Sequence, residues 1–213
     1  MSEAHATRQR LLDSGLQLVR EKGLRGLGVR EVARLAGANP GTFVYHFGTR
    51  EAFLEEVVEL WYVPFFRHLE ETAFSPVKGN SLERLRATFA EILQFVADDS
   101  EIIGHLIADA VAGEPAARTF LLKVPPRHPM VILALIEEAQ RDGFLRGDPP
   151  LHLFLYLMAA AGFPLVLAHG PLRRVDWLRE VGAPLLQILG DIDLARQRLD
   201  WALQGITLSR GTL

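Results

Sequence analysis

The chain has 213 residues, of which 49% are hydrophobic and 23% charged, a composition typical of a soluble globular protein with a substantial core. It contains no cysteine, which excludes disulfides, thiolate zinc sites and thiol catalysis. The first ten residues are polar and offer no apolar run for a signal peptide, so a cytoplasmic protein is expected.

The net charge of −3 is unevenly divided along the chain. Residues 1–50 hold eight Lys/Arg against four Asp/Glu, whereas residues 51–213 hold fifteen against twenty-two. The N-terminal quarter is therefore positive and the remainder negative. A local excess of positive charge is typical of a surface that binds nucleic acid.

The N-terminal quarter predicts a scaffold helix followed by two short helices. The first helix runs from Thr7 to Lys22, carries an apolar stripe and ends at Gly23. The second runs from Val29 to Ala36. Gly37 stops it, because a residue just past a helix end often takes the left-handed conformation that glycine reaches without strain.

A third helix begins at Asn39, whose side-chain oxygen is expected to cap it, with Pro40 at the first helical position. Two helices joined by about three residues make a helix-turn-helix. Phe43 and Phe47 share one side of the third helix and are expected to anchor it. The other side presents Gly41, Thr42, Tyr45 and His46.

These residues resemble a known family. The run GANPGTFVYHFGTREAF, preceded by TRQRLLDSGLQLVREKG, closely resembles the DNA-binding segment of the tetracycline-repressor (TetR/AcrR) family of bacterial transcription regulators. The resemblance covers residues 7–60. It implies a three-helix DNA-binding domain in residues 1–50 and a helical effector-binding and dimerisation domain in residues 51–213.

Hydroxyls, imidazoles, guanidinium groups and helix N-termini are the usual partners of DNA phosphates. Thr42 is expected to face base edges instead. Two residues depart from the family pattern, Gly28 where a capping Thr or Ser is usual and Val44 where an aromatic residue is frequent. The candidate DNA-binding residues are Arg30, Asn39, Gly41, Thr42, Tyr45, His46 and Arg50.

The rest of the chain shows helical periodicity and no strand-like alternation, so the predicted class is all-α. Pro64 is expected to bend the helix that contains it, because proline removes a backbone hydrogen bond. The predicted helices are about Thr49–Phe74, Ser81–Ala97, Glu101–Ala112, Pro115–Leu122, Met130–Arg141, Leu153–Ala168, Asp176–Leu189 and Leu194–Ser209.

Residues 153–168 are all apolar, glycine or proline. This run is shorter than the roughly 20 residues that cross a membrane, so no membrane contact is expected. A helix apolar on all sides is expected to be buried on every side. In the family, two helices from this end pair across a two-fold axis. The apolar run and the stripe after it are therefore the candidate dimer interface, and that stripe comprises Leu178, Val181, Leu185 and Ile188.

Apolar side chains with a few polar groups describe a small-molecule pocket, and they describe a plain core equally well. The family resemblance favours a pocket for an apolar or amphipathic effector. The candidate ligand-binding residues are Phe89, Leu93, His105, Asp109, Phe120, Tyr156 and Met158.

Glu101, His105 and Asp109 stand at i, i+4 and i+8 on one helix face. Oxygen and imidazole ligands suit Zn²⁺, Ni²⁺ or Mn²⁺. A solvated stripe or a hydrogen-bonded set is the favoured interpretation, so no metal and no cofactor is expected. The sequence also has no HExxH, GxSxG or Gly-rich phosphate loop, which indicates that the protein is not an enzyme.

The sequence therefore predicts a ligand-responsive transcriptional repressor. It would bind a pseudo-palindromic double-stranded DNA operator as a homodimer, held by its C-terminal helices and released by a small-molecule effector. Two alternatives stay open at this point. One is a metal-dependent protein, and the other is a dimeric ligand-binding protein without DNA-binding activity.

Overall fold

The structure is a computed structural model that describes residues 3–75, 79–123, 127–169, 176 and 182–208. The described residues form helices and no strand, and their one β-type pairing is an isolated bridge between Leu145 and Thr207. The predicted all-α class is confirmed.

The helices lie close to the predicted positions. In chain order they are α1 (Glu3–Lys22), α2 (Val29–Leu35), α3 (Pro40–Phe47), α4 (Arg50–Phe74), α5 (Ser81–Asp98), α6 (Ser100–Val111), α7 (Pro115–Lys123), α8 (His128–Arg141), α9 (Pro150–Leu157), a π-helical turn (Met158–Gly162), α10 (Phe163–His169), α11 (Ala183–Gly190) and α12 (Ile192–Ile206). Of the helix predicted from Asp176, residues 177–181 lie outside the described residues, and these include Leu178 and Val181.

Backbone contacts divide the chain into two compact units. The first unit comprises Met1–Phe65 and Glu101–Lys123, so that α6 and α7 belong with the helix-turn-helix. The second unit comprises Phe66–Ser100 and Val124–Leu213. The functional boundary predicted at residue 50 stays a prediction.

The core of the first unit is built on three aromatic rings. Phe43 and Phe47 of α3 each lie 4.8 Å from the ring of Phe53 on α4, measured between ring centroids. Gly15 lets α1 approach this cluster, because a Cβ at that position would lie 2.5 Å from the Phe53 ring. The two phenylalanines predicted to anchor α3 do so, and all three rings are buried.

The helix ends follow the sequence signals. Gly37 has a φ of +64°, and the Ala38 N–H donates to the Ala33 carbonyl at 2.8 Å, which closes a Schellman motif at the end of α2. The Oδ1 atom of Asn39 accepts from the Thr42 N–H at 2.9 Å, as predicted for a helix cap. The hydroxyl of Thr49 accepts from the Ala52 N–H at 3.1 Å and caps α4 in the same way. The turn at Gly37 and the cap at Asn39 together fix the connection between α2 and α3.

Pro64 does not interrupt α4, which continues from Arg50 to Phe74 as a single helix. In the second unit, α5 packs against α8, α10 and α12, and α9 packs against α8 and α12. Leu85, Phe89 and Leu93 of α5 are fully buried there.

The expectation that residues 153–168 are buried on every side is wrong for the single chain. Leu153, Leu157 and Leu165 are buried, whereas Phe163 and Leu167 are exposed, as is Leu155. The helix therefore has one face in the core of the second unit and another apolar face at the surface.

Two stretches, Pro115–Arg141 and Pro150–Ala168, are long and apolar enough to cross a membrane by length and composition alone. The first contains residues 124–126, which the structure does not describe. The second includes α9 and most of α10, which pack against other helices of the second unit, and core helices of soluble proteins pass the same test.

Candidate nucleic-acid interface

The outward face of α3 consists of small, hydroxyl and aromatic side chains. Tyr45 is 79% exposed, and its ring meets the half-buried His46 edge to face at a centroid distance of 5.0 Å. Thr42 is half-buried and Gly41 is exposed one residue before it. At Gly41 a Cβ would lie 3.1 Å from the capping oxygen of Asn39, so the glycine keeps this helix end open to an approaching group. The predicted outward residues are thus brought together on one surface.

A cleft beside this face shows a cation that sequence reasoning missed. Arg10 on α1 lines it together with Thr7, Thr42, Tyr45 and His46. Its guanidinium donates to the Ala36 carbonyl at 3.3 Å and to the Thr7 hydroxyl at 2.9 Å. These two bonds use two of the five guanidinium N–H donors. Thr7 and Arg10 stand at i and i+3 on α1, but the sequence does not show which face of α1 adjoins α3.

One carboxylate also lies in this cleft. Glu3 and Ala4 line its edge with the turn residues Gly37 and Ala38. The predicted face of α3 contains no acid, and Glu3 comes from the N-terminal turn of α1. Its charge opposes phosphate binding at the edge of the cleft.

Arg30 is exposed in the first turn of α2, where it is available to a DNA backbone. Arg8 is different, because its guanidinium pairs with Glu56 and lies 5.1 Å from the centroid of the Phe47 ring. The side chain of Arg8 therefore ties α1 to α3 and α4.

Arg50 is expected from the sequence to contact a DNA phosphate, but its guanidinium binds other groups of the protein. Its Nη2 donates to the Leu24 carbonyl at 2.6 Å and its Nε to the Leu27 carbonyl at 3.0 Å. The same guanidinium pairs with the Glu114 carboxylate at 3.3 Å. The side chain is only 25% exposed. Its positive charge is thus held against the α1–α2 loop, and a DNA contact would require it to leave these partners.

The ligand-binding candidates fall into two groups that belong to different compact units. His105, Asp109 and Phe120 lie in the first unit. Phe120 is buried with its ring centroid 5.2 Å from that of Tyr62. The carboxylate of Asp109 is also buried and accepts from the backbone N–H groups of Leu24 and Arg25. Asp109 therefore has a structural role in this conformation, and the ligand contact predicted for it stays a prediction.

The remaining candidates lie in the second unit. Phe89 and Leu93 have no exposed surface, so they are core residues of this conformation. Met158 is half-buried in the π-helical turn and covers Gly162, where a Cβ would lie 2.7 Å from the methionine methyl group. Tyr156 is exposed and lines a surface cleft with Arg146, Asp148 and His152. Tyr156 thus belongs to the surface, whereas Phe89 and Leu93 belong to the interior.

Within the described part of the chain, no group of three or more His, Asp and Glu side chains is placed to hold a metal ion. Glu101 is exposed at the start of α6, while Asp109 near its end is committed to two backbone N–H groups.

His128 is the first residue of α8. Burial lowers the pKa of its imidazole to about 4, because desolvation disfavours the charged form. His128 is therefore neutral at pH 7.

Comparisons with known proteins agree on the helix-turn-helix segment. Residues 11–57 match the model of the family described as "Bacterial regulatory proteins, tetR family". The HTH-type transcriptional repressor DhaR of Mycobacterium sp. (strain GP1) is 28% identical over 66% of this chain and 71% of its own. The HTH-type transcriptional repressor NemR of Escherichia coli (strain K12) is 27% identical over 65% of this chain and 69% of its own.

Solved structures extend the likeness to almost the whole chain. SmeT, the repressor of the Stenotrophomonas maltophilia multidrug efflux pump SmeDEF, has been solved in complex with triclosan. That structure is similar with a TM-score of 0.67 and 20% identity, covering 98% of this chain and 94% of SmeT. At this identity the likeness concerns the fold alone. The relatives named here are transcriptional regulators and not enzymes.

Proposed function

We infer that this chain, which belongs to the TetR family of bacterial regulatory proteins, is a cytoplasmic transcriptional repressor that binds a DNA operator as a homodimer. The observation that carries this proposal is the α2–α3 helix-turn-helix with the exposed face of Thr42, Tyr45 and His46 on its second helix. The helix lies in the major groove, with Thr42 toward the base edges and the other two toward phosphates.

The cleft between α1 and α3 adds a second element to this docking. Arg10 lines this cleft together with Asn39 and Thr42, which lie at the N-terminal end of α3. Backbone N–H groups at a helix N-terminus favour an anion, and a guanidinium favours the same group. We therefore assign Arg10 a phosphate contact, alongside Arg30 on the first turn of α2.

The homodimer is proposed from the exposed apolar face of the second unit. Leu151, Leu155, Phe163 and Leu167 are all exposed along α9 and α10. Residues four apart drift by about 40° per step around a regular α-helix. The π-helical turn at Met158–Gly162 takes up one residue and reduces this drift, so the four side chains stay on one side. Leu185 and Ile188 of α11 are also exposed.

Contiguous apolar surface of this kind marks an interaction site in soluble proteins. A second copy of the chain would cover it with the same residues, because a two-fold interface joins one surface patch to itself. The dimer would then present two α3 helices to half-sites about 10 base pairs apart, or a multiple of that spacing.

We place the effector in the second unit, among the apolar side chains around Phe89, Leu93 and Met158. The structurally similar SmeT has been solved in complex with triclosan, which supports a small-molecule site in this fold. Phe89 and Leu93 are closed in the present conformation, so binding there requires these helices to separate. The effector releases DNA only if it binds the DNA-incompetent geometry more tightly than the competent one.

DNase footprinting with the DNA that flanks the protein's own gene tests this function. The expected result is one protected site with two inverted half-sites, competed poorly by unrelated DNA. Uniform weak protection, or none, would contradict the repressor function. It would favour the alternative of a dimeric ligand-binding protein without DNA-binding activity.

A further inference from the structure

The loop between α1 and α2, residues 23–28, is held from both sides by side chains that are distant in sequence. On one side, Oδ2 of Asp109 accepts from the Leu24 N–H at 2.7 Å and from the Arg25 N–H at 3.3 Å. On the other side, Arg50 donates to the carbonyls of Leu24 and Leu27. Both polar groups of the Leu24 backbone are therefore occupied by side chains from other helices.

The end of α1 explains why an external acceptor is needed. Gly23 has a φ of +77°, and its N–H donates to the Val19 carbonyl at 2.9 Å. In a full Schellman motif the next N–H, that of Leu24, would donate to the same Val19 carbonyl. Here it donates to Asp109 instead. Leu24 is fully buried, so without Asp109 its N–H would have no access to water.

The corner between α6 and α7 supplies both acidic residues in a fixed arrangement. Gly113 has a φ of +94°, and the Glu114 N–H donates to the Asp109 carbonyl at 2.9 Å. The Gly113 N–H donates to the Ala110 carbonyl at 3.1 Å, which completes a Schellman motif. Asp109 and Glu114 are only 8% and 7% exposed. One rigid corner therefore carries the acceptor for the Leu24 N–H and the ion-pair partner of Arg50.

We propose that Asp109 and Glu114 are positioning residues for DNA recognition, so that the α6–α7 corner is a working part of the DNA-binding unit. This inference rests on the proposed repressor function. The loop they hold leads directly into α2, whose first turn begins with bonds to the Gly28 carbonyl. Through the fixed turn at Gly37, the position of α2 sets the position of α3. Neither acid touches DNA.

The sign of the effect separates positioning from simple electrostatics. Removing a negative charge from a DNA-binding unit strengthens binding, because the phosphate backbone repels carboxylates. A positioning residue behaves in the opposite way, and its loss weakens binding to the operator. Since no phosphate contact is lost, the slope of log affinity against log salt stays the same.

The test uses the full-length chain, its footprinted operator and an unrelated duplex of the same length. Asp109→Ala is expected to weaken operator binding about fivefold or more, which is the low end of typical coupling between distant sites. The affinity for the unrelated duplex is expected to stay the same. Asp109→Asn keeps an acceptor for Leu24 and is expected to restore most of the affinity. Glu114→Gln is nearly isosteric and is also expected to weaken operator binding. It provides the test if Asp109→Ala fails to fold.

Glu55→Gln is the matched control. Glu55 and Lys123 form an exposed ion pair at 3.3 Å that also joins α4 to the α6–α7 segment, but away from the loop. Glu55→Gln removes the same charge as Glu114→Gln and is expected to leave the affinity for the operator unchanged or slightly raised. The proposal is overturned if the Asp109 and Glu114 variants behave like Glu55→Gln. Tighter binding of Glu114→Gln with a steeper salt slope would also overturn it, by showing that Glu114 withholds Arg50 from DNA.

Failure of this proposal is distinct from failure of the repressor function. If the unaltered chain gives no operator footprint, the repressor function itself is wrong and the positioning role falls with it. If the unaltered chain protects an operator and the variants protect it equally well, only the positioning role is wrong.

Discussion

Arg50→Ala is expected to destabilise the protein substantially, because Arg50 ties the α1–α2 loop to α4 and to Glu114. Two hydrogen bonds from a charged donor to backbone carbonyls are lost, at 2.6 and 3.0 Å. Such bonds contribute about 1.5–3 kcal/mol each, and the lower end applies since the side chain is one quarter exposed. The expected loss is about 3 kcal/mol, with Glu114 also left without its ion-pair partner.

Urea unfolding of the full-length chain, followed by circular dichroism, measures this loss in the free energy of unfolding. Lys123→Ala is the control, because its ion pair with Glu55 is exposed and is expected to contribute at most about 1 kcal/mol. A loss of under about 1 kcal/mol for Arg50→Ala would refute the structural role. If the variant is stable and its slope of log DNA affinity against log salt is smaller by about one phosphate contact, the phosphate contact predicted from sequence is supported instead.

Three further changes test other parts of the account. Leu185→Arg is expected to give monomers in sedimentation, since an unpaired charge in an apolar interface is unfavourable, whereas Leu122→Arg, on an exposed residue of α7, leaves the dimer intact. Thr42→Val is expected to change which operator variants are preferred, with little change in salt slope; equal loss on all sequences would contradict base contact. His128 has a pKa lowered to about 4 by burial, so the unfolded chain takes up its proton first as the pH falls below about 6.5. Above that pH the lowered pKa of His128 does not reduce the free energy of unfolding. Between pH 6.5 and about pH 4 the free energy of unfolding falls by up to about 1.4 kcal/mol per pH unit. His128→Gln is expected to flatten this part of the stability profile, and an unchanged profile would contradict the lowered pKa of this imidazole.

The helix-turn-helix could be predicted from sequence because its signals are local. Gly37, Asn39 and Pro40 each act on the backbone within a few residues, and their geometry is as predicted. Phe43 and Phe47 were identifiable from their spacing alone. Chain-local signals therefore gave both helices of the motif and the face that α3 presents.

The partners of Arg50 and Asp109 could not be predicted in this way. Asp109 binds backbone groups 85 and 84 residues away in sequence, and Glu114 lies 64 residues from Arg50. No periodicity reports such pairings. The spacing of Glu101, His105 and Asp109 placed them on one helix face, but it did not show that the last of them is buried against another loop.

The exposed face of α9 and α10 shows a different limit. An all-apolar run predicts burial on every side, and the single chain leaves Leu155, Phe163 and Leu167 exposed. An apolar run predicts that a surface is buried, but it does not show whether the same chain or a second chain covers that surface.

The proposed function depends on the outward face of α3, which we expect to read the operator. The most direct test measures binding to the footprinted operator by a chain with Thr42, Tyr45 and His46 all replaced by alanine. A matched chain carries alanine at three exposed residues of α12, Arg196, Gln197 and Trp201. We expect the α3 variant to stay folded and dimeric but to lose the preference for operator over unrelated DNA, while the α12 variant keeps that preference. An α3 variant that still protects the operator as the unaltered chain does would contradict the claim.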